Sequence, residues 1–431
     1  GLLIFFFMPL YAAAVLIGGA EFISTQFNLG YNAALIIFAI VVAAYVITGG
    51  LKGVMYTDAL QGAIMFIGMA ILLAWTYIQL GGPVQAHHDL TAMKDQAFVG
   101  FKAMGQQGWT AMPKFAWGDK SGQLWWIVVS TITMGVGIGV LAQPQLIVRF
   151  MTVKSKRDLN RGVLVGGVFI LCMTGVAFTV GALSNLYFYK YETVKGKLLG
   201  VTEKADVIAK KERGIEAKIP CTLLHIDTTG SGMADTTVVY RGVGKAEAIM
   251  PKAEIAGLAP GAKPADLIKQ DVAVHPRSAS FTRAVVQAGF TPDGTPIYAF
   301  NTDSIIPTFI TSALPGWFGL VFLLTLLSAA MSTLSSQFHT MGTAVGRDVY
   351  VTITGRHGSS VAITRAGVII GIIIALILGN VTRGGYIVAR ATSIFFGLCA
   401  AAFLPAFVGG LFFRRANKAG AIASMIAGAL V

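Results

Sequence analysis

The sequence predicts an all-α protein that crosses a membrane several times and carries one polar insert. Of its 431 residues, 55% are hydrophobic and 12% are charged, and the mean hydropathy is +0.70. A soluble globular protein is about 25% charged, so the composition excludes that class. Fifty-one glycines and 27 phenylalanines are also typical of a polytopic membrane protein.

Eight apolar runs are each long enough to cross a hydrocarbon core of about 30 Å, which needs roughly 20 helical residues. They are residues 1–24, 31–49, 59–80, 123–147, 162–186, 315–340, 361–379 and 386–412, and a ninth begins near residue 418. The chain opens and stops inside apolar runs. We therefore interpret it as a fragment that lacks both ends.

The distribution of Lys and Arg predicts which side of the membrane each loop occupies. If residue 1 starts inside, the short inner loops hold twelve basic residues and the outer ones six, leaving out the long loop. The positive-inside rule favours this orientation. The twelve are Lys52, Arg149, Lys154, Lys156, Arg157, Arg161, Arg347, Arg356, Arg365, Arg414, Arg415 and Lys418.

Residues 188–311 form the one long polar block, and this orientation places it outside the cell. The block holds 15 Lys/Arg and 13 Asp/Glu, so most of the net charge of +13 belongs to the membrane part and indicates no nucleic-acid surface. We expect helix over 190–218, strands at the β-branched segments 222–226 and 236–240, and a turn at 292–294. Either an accessory cap or a substrate-capture module is compatible with this insert.

The sequence carries no catalytic motif. No span contains a pair of carboxylates, and no GxSxG, HExxH or Walker sequence occurs. Cys172, Cys221 and Cys399 are widely spaced, and the six histidines form no metal-ligand pattern. We therefore expect neither an enzyme nor a bound organic cofactor.

The span 123–147 combines glycines with a Gln-Pro-Gln sequence. Such residues free backbone groups from the helix, which a membrane tolerates where the backbone lines a cavity or is buried in protein. Interrupted helices of this kind mark the binding sites of secondary transporters. The alternative is that the glycines only allow close helix packing. The residues concerned are Gly135, Gly137, Gly139, Gln143, Pro144 and Gln145.

A stripe of hydroxyl side chains follows one face of the span 315–340. Ser332 and Thr333 come three and four residues after Ala329, so two hydroxyls and one carbonyl form half of an oxygen site suited to an alkali cation. The alternative is that each hydroxyl only bonds to the carbonyl four residues earlier. The stripe consists of Ser328, Ser332, Ser335, Ser336 and Thr340.

Three segments resemble the sodium/solute symporter family, which includes bacterial proline, pantothenate, acetate and sugar symporters. Residues 49–61 (GGLKGVMYTDALQ) resemble the family's GG-x-x-A-V-x-W-T-D-x-x-Q signature. Residues 143–151 (QPQLIVRFM) resemble its Q-P-H-x-x-x-R-F-M segment, with Gln145 in place of the histidine. Residues 329–335 (AAMSTLS), followed by RDVY at 347–350, resemble its A-x-M-S-T-L-S…D-x-Y run.

The resemblance implies the inverted-repeat fold of the leucine-transporter type. The missing N-terminal part would hold the first core helix, whose carbonyls complete the sodium site in relatives. The implied divisions are 1–81, the last three helices of the first repeat; 82–121, an extracytoplasmic loop; 122–187, the first two helices of the second repeat; 188–311, the insert; 312–412, the last three helices of the second repeat; and 413–431, the start of a further helix.

The resemblance also implies how sodium is bound. Ser332 and Thr333 match the family's sodium-ligating hydroxyl pair, and Ala329 matches the position that supplies a carbonyl. Asp58 matches an aspartate along the cytoplasmic sodium route. An alternative for Asp58 is a helix N-cap with Gln61 as its reciprocal partner. Sodium is therefore the implied coupling ion.

Five positions are candidates for contact with the substrate. Tyr11 matches a tyrosine near the substrate of proline-type members, and Gln143 and Gln145 fall on the segment that lines the substrate cavity. Val136 stands where proline-type members carry a tryptophan, which argues against proline. Arg390 either extends to the outer face or attracts a substrate carboxylate.

The sequence thus predicts a sodium-coupled symporter of the inner (plasma) membrane that imports a small organic solute, a monocarboxylate rather than a sugar, by alternating access. We expect the solute, sodium and the lipid bilayer as partners, with no nucleic acid and no obligatory protein partner. Two alternatives are a transporter-like sensor whose insert reads a solute and a proline-type amino-acid symporter.

Overall fold

The computed structural model is a bundle of long apolar helices with a β-sheet at one end. It describes residues 1–97, 99–150, 153–212, 215–248, 250–278, 285–355, 360–383 and 387–430. Met151 and Arg356, which belong to predicted segments, lie outside these ranges. Within them, eight helices are long and apolar enough to cross a membrane, as the sequence predicts.

The helices follow the predicted spans closely. Short π-helical stretches continue three of them, at Ile127–Val136, Ala344–Val351 and Cys399–Phe403. The α-helices are α1 (Leu2–Phe27), α2 (Tyr31–Gln79), α3 (Pro83–Ala92), α4 (Val99–Ala103), α5 (Gln123–Trp126), α6 (Gly137–Gly139), α7 (Pro144–Phe150), α8 (Lys156–Lys190), α9 (Ile305–Ala313), α10 (Gly316–Thr343), α11 (Thr352–Thr354), α12 (Ser360–Val381), α13 (Ile387–Leu398), α14 (Leu404–Phe412) and α15 (Lys418–Leu430).

The spans predicted at 31–49 and 59–80 belong to one helical element, α2, which bends between them. The Tyr45 hydroxyl and Thr57 Oγ1 are hydrogen-bonded. In a straight helix, 12 residues would separate their Cα atoms by about 18 Å, so the contact requires a sharp bend. Because no helix begins at Asp58, its interpretation as an N-cap is wrong.

The predicted interruption of the span 123–147 is confirmed. The helix changes from α to π at Ile127 and to 3-10 over Val140–Ala142. It ends at Gln143, whose backbone is extended (φ −62°, ψ 123°), and α7 then starts at Pro144. Proline lacks the N–H that would continue the helical ladder, which explains the position of the break.

The main core of the bundle lies where α1, the first half of α2, α10, α12 and α13 meet. Small residues let these helices approach closely, as is typical in membranes. A Cβ at Gly342 of α10, for example, would collide with the Thr364 carbonyl oxygen of α12. The large, fully buried side chains of this core include Met8, Leu16, Leu35, Phe38, Phe338 and Phe395.

The insert is a seven-stranded sheet, and the helix predicted for 190–218 is wrong. The helix α8 ends at Lys190, and the chain then forms a long antiparallel pair. Charged and apolar residues alternate with a period of two here, which is the pattern of a strand. The strands are β1 (Val194–Glu212), β2 (Ile215–Asp227), β3 (Thr236–Gly242), β4 (Glu254–Ile255), β5 (Asp271–His275), β6 (Val285–Phe290) and β7 (Pro296–Phe300).

The sheet has the order β3-β2-β1-β5-β4, and β7 adds to β1 in parallel while pairing with β6. The strands predicted at 222–226 and 236–240 are confirmed within β2 and β3. The predicted turn at 292–294 joins β6 to β7, with Gly294 at φ 84° and a 2.8 Å bond from Thr291 N to Thr295 O.

The sheet defines two ends of the bundle. At the insert-side end, Lys190 of α8 forms an ion pair of 2.7 Å with Asp89 of α3. The helix α10 starts at this end, at Gly316. Its residue Ser336 lies 20 residues, or about 30 Å, further along the helix and therefore near the opposite end.

Candidate functional site

The hydroxyl stripe lies on the packed face of α10. Ser328, Ser335, Ser336 and Thr340 are all less than 9% exposed. Each of the last three donates to a carbonyl three or four residues earlier, at 2.8–3.1 Å. The stripe therefore packs against neighbouring helices, while its hydroxyl groups satisfy the helix backbone.

The hydroxyl groups of Ser332 and Thr333 both lie against the Ala329 carbonyl oxygen. Ser332 Oγ lies 3.5 Å and Thr333 Oγ1 2.9 Å from the Ala329 carbonyl oxygen. The three predicted sodium ligands are thus adjacent. Both hydroxyl groups donate their hydrogens to this carbonyl oxygen. The lone pairs of the two hydroxyl oxygens therefore remain available to a cation.

One ion pair brings the three motif segments together. Arg149 of α7 donates through Nη2 to both Asp58 Oδ2 of α2 and Ser336 Oγ of α10. Ser336 Oγ in turn donates to the Ser332 carbonyl oxygen at 2.9 Å. A continuous chain of polar contacts therefore links Asp58 to the residues predicted to bind sodium.

The sequence places Arg149 among the positive-inside residues and in the family-like segment 143–151, but it does not reveal the ion pair with Asp58. Asp58 and Arg149 are 91 residues apart, so no local spacing could reveal the pair. Asp58 and Arg149 both belong to segments that resemble the family. This shared resemblance was the one sequence signal that they lie near the same site. The Asp58 side chain is 11% exposed and the Arg149 side chain 33% exposed, so the pair is largely shielded from solvent.

The two glutamines at the break are buried and offer unused polar atoms. Gln143 is 5% and Gln145 8% exposed, and among the residues that the structure describes, Gln143 Nε2 and Gln145 Oε1 have no hydrogen-bond partner. In the same part of the chain, Gln337 of α10 is fully buried and neither of its amide atoms has a partner. The helix α10 packs against α7. Buried polar groups are rarely left unpaired, so these atoms are suited to a bound solute or water.

Tyr11 lies on α1 against α13. Its ring stacks on Phe395 with 5.3 Å between centroids and meets Phe396 edge-on at 5.4 Å. Gly139, just before the break, also packs on α13, because a Cβ there would collide with the Phe396 carbonyl oxygen. The glycine segment and Tyr11 thus meet at one place on α13, whereas Val136 is half-buried one turn earlier.

Arg390 is not grouped with the other predicted substrate positions. It is exposed near the start of α13 and lines a cavity at the insert-side end. Arg383, in the same cavity, binds Glu21 of α1 with 2.7 Å between Nε and Oε1, and its guanidinium lies 4.0 Å from the centre of the Tyr31 ring. Sequence reasoning misses this buried pair, which joins residues 362 positions apart.

An interrupted helix, a hydroxyl-bearing partner helix and buried amides near the break are features that mark the binding sites of secondary transporters. The profile of the sodium:solute symporter family matches residues 1–209 and 281–428, which is more than half of the chain. The chain belongs to this family. The matched ranges leave out much of the insert sheet.

Individual relatives agree with this family. A sodium/pantothenate symporter of Haemophilus influenzae is 31% identical over 169 residues, which are 39% of this chain and 31% of that protein. A sodium/proline symporter of Staphylococcus aureus is 30% identical over 187 residues, or 41% of this chain and 32% of that protein. The matched parts therefore span about a third of these relatives.

A solved structure shares the fold. The substrate-bound, outward-open state of a Na+-coupled sialic acid symporter superposes with a TM-score of 0.51 over 98% of this chain and 72% of that one. The two sequences are 13% identical. This likeness concerns the fold alone.

Proposed function

We propose that this chain is the transport core of a sodium-coupled symporter that imports a small organic carboxylate by alternating access. In this proposal the protein lies in the inner (plasma) membrane with the insert on the extracytoplasmic side. Residues 1–81 belong to the first inverted repeat, and residues 122–187 and 312–412 belong to the second. The observation that carries the proposal is the meeting of the three motif segments at Asp58, Arg149 and Ser336.

Sodium binds at Ser332, Thr333 and the Ala329 carbonyl, and leaves past Asp58. The geometry supports this route because the polar contacts run without a gap from Ser332 through Ser336 and Arg149 to Asp58. A sodium ion that reaches Asp58 competes with Arg149 for the same carboxylate. Release of the ion and rearrangement of the ion pair are therefore coupled.

The solute binds beside the break, where Gln143 and Gln145 have unpaired buried atoms and Tyr11 packs on α13. Pantothenate and proline, which the named relatives carry, both contain a carboxylate. Arg390 supplies positive charge above this region, and guanidinium groups bind carboxylates with two parallel hydrogen bonds. A carboxylate is therefore the chemical feature that we expect a substrate to have.

The test is uptake by the full-length protein in liposomes with an inward sodium gradient, compared with potassium. The labelled solutes are acetate, pyruvate, lactate, proline, pantothenate and glucose. We expect sodium-dependent accumulation of a carboxylate, which the double variant Ser332→Ala/Thr333→Ala abolishes. Thr343→Ala is the matched control, because this exposed threonine makes the same type of bond, to the His339 carbonyl, three turns away.

Uptake that ignores sodium, or that survives in the double variant, would contradict the proposal. Binding of a solute without any sodium-dependent uptake would instead favour the transporter-like sensor. If proline is transported with the highest kcat/KM of the six solutes, the result would favour the amino-acid symporter. It would also show that Val136 does not exclude proline.

A further inference from the structure

A cavity of about 1030 Å³ lies between the insert and the helices at the insert-side end. The strands β1, β6 and β7 form one wall of this cavity. The start of α2, the end of α12 and the start of α13 form the other. Both the insert and the bundle are therefore needed to build it.

The lining of this cavity is rich in hydrogen-bond donors. Among the described residues that line it, none is acidic. Guanidinium and amide groups are the polar side chains that bind a carboxylate in proteins. The lining contains two arginines and four amides: Arg383, Arg390, Asn32, Asn380, Gln287 and Asn301.

Asn301 is the most deeply buried amide of the lining that is available to a ligand. Its side chain is 1% exposed, and within the described ranges neither its Oδ1 nor its Nδ2 has a hydrogen-bond partner. A buried amide with all its polar atoms unpaired is unfavourable. A bound polar group would satisfy it.

Among the described lining residues, the charged ones are Arg383 and Arg390, and the carboxyls nearest to Arg383, those of Glu21 and Asp303, lie outside the lining. Arg383 is held in place by Glu21 at 2.7 Å and by the Tyr31 ring. Glu21 lies behind the lining and is 2% exposed. Arg390 adds a second positive charge to the lining itself.

We propose that this cavity is an entry site that binds the solute carboxylate before it reaches the central site, and that it does so without sodium. Arg390 lies five residues, or about 7.5 Å along α13, before Phe395, whose ring stacks on Tyr11. The cavity thus reaches within about one and a half turns of α13 of the residue against which Tyr11 packs. The nature of the solute rests on the proposed function, but the site itself does not.

The experiment measures binding of labelled pantothenate to the full-length protein in lipid nanodiscs, with choline replacing sodium. Unlabelled panthenol, in which an alcohol replaces the carboxylate, is the neutral competitor. Gln287→Glu adds a carboxylate to the exposed part of the lining, so the variant is expected to fold. Gln270→Glu makes the same change at an exposed insert position outside the cavity.

We expect sodium-free binding that panthenol does not displace. Gln287→Glu should weaken it by about tenfold, because like charges a few ångströms apart repel even near the protein surface. Arg390→Gln should weaken it comparably, and Gln270→Glu should leave it unchanged.

No sodium-free binding, equal competition by panthenol, or equal effects of the two glutamine variants would overturn the proposal. Binding that follows the expected pattern in a protein without sodium-dependent uptake would leave the entry site standing and refute the proposed symport. Sodium-dependent uptake without sodium-free binding would support the proposed symport and refute the entry site.

Discussion

The ion pair between Asp58 and Arg149 allows a thermodynamic prediction through a double-mutant cycle. The variants are Arg149→Gln, Asp58→Asn and the combination. Breaking a buried ion pair by removing one partner costs about 3–5 kcal/mol, because the other charge stays buried. Since the Arg149 side chain is 33% exposed, we expect a smaller loss of about 2–3 kcal/mol for Arg149→Gln.

The other variants should cost less. Asp58→Asn leaves Arg149 with its bond to Ser336 and with access to solvent, so we expect a loss of about 1–2 kcal/mol. The double variant removes both charges and should cost about 1 kcal/mol, since replacing both members of a buried pair can be nearly neutral. The resulting coupling energy is about 2–4 kcal/mol.

The assay is thermal unfolding in detergent, followed by tryptophan fluorescence. The double variant should melt above Arg149→Gln, even though it carries one more substitution. Arg157→Gln, which removes an exposed charge from the same side of the bundle, should melt like the parent. If the loss of Tm in the double variant equals or exceeds the sum of the losses in the two single variants, a direct interaction between Asp58 and Arg149 is refuted.

Three further predictions concern other parts of the molecule. Gly139→Ala should lower the Tm because its Cβ would collide with a carbonyl oxygen of α13, whereas Gly137→Ala, in open space, should not. Tyr11→Phe keeps the ring packing, so a severalfold rise in KM at unchanged Tm would indicate that its hydroxyl contacts the substrate. Burial, and then the charge of Glu21, raise the pKa of Asp303 to about 6. The folded protein therefore keeps a proton that the unfolded chain loses near pH 4, so the free energy of unfolding should fall by up to about 3 kcal/mol as the pH rises from 4 past 6. Asp303→Asn should remove this part of the pH dependence in melting curves.

The membrane spans could be predicted from the sequence because their lengths and compositions follow directly from the thickness of the bilayer. The break at Gln143 was predictable for a similar reason, since proline cannot continue a helix. The hydroxyl pair at Ser332 and Thr333 followed from helical periodicity, and the structure places both on the Ala329 carbonyl. These features depend on local sequence alone.

The features that were missed depend on contacts between distant segments. The partners Asp58 with Arg149 and Glu21 with Arg383 are separated by 91 and 362 residues. The hairpin of β1 and β2 is a local feature, and its alternating pattern is present in the sequence. The charged composition of the same segment is compatible with a helix, and this composition led to the wrong prediction of a helix over 190–218. Period, rather than composition, was the correct guide for that segment.

The two buried ion pairs share a property that concerns the whole transport cycle. Each joins a residue of the proposed first repeat, Glu21 or Asp58, to a residue of the proposed second repeat, Arg383 or Arg149. The first pair lies near Phe322 of α10, through the ring contact of Phe22, and the second reaches Ser336. The pairs are therefore about 20 Å apart along α10.

If one repeat rocks against the other, residues of the two repeats separate at one end of the bundle while those at the other end stay in contact. With both pairs formed, as here, the repeats are held together at both ends. Opening either end breaks a pair whose partners are shielded from solvent, which costs several kcal/mol unless an ion or a solute replaces the lost partner. Sodium at Asp58 and a carboxylate at Arg383 have the charges that such replacement requires. In the proposed transport cycle, the two ion pairs would thus give sodium and the solute a physical means of controlling which end opens.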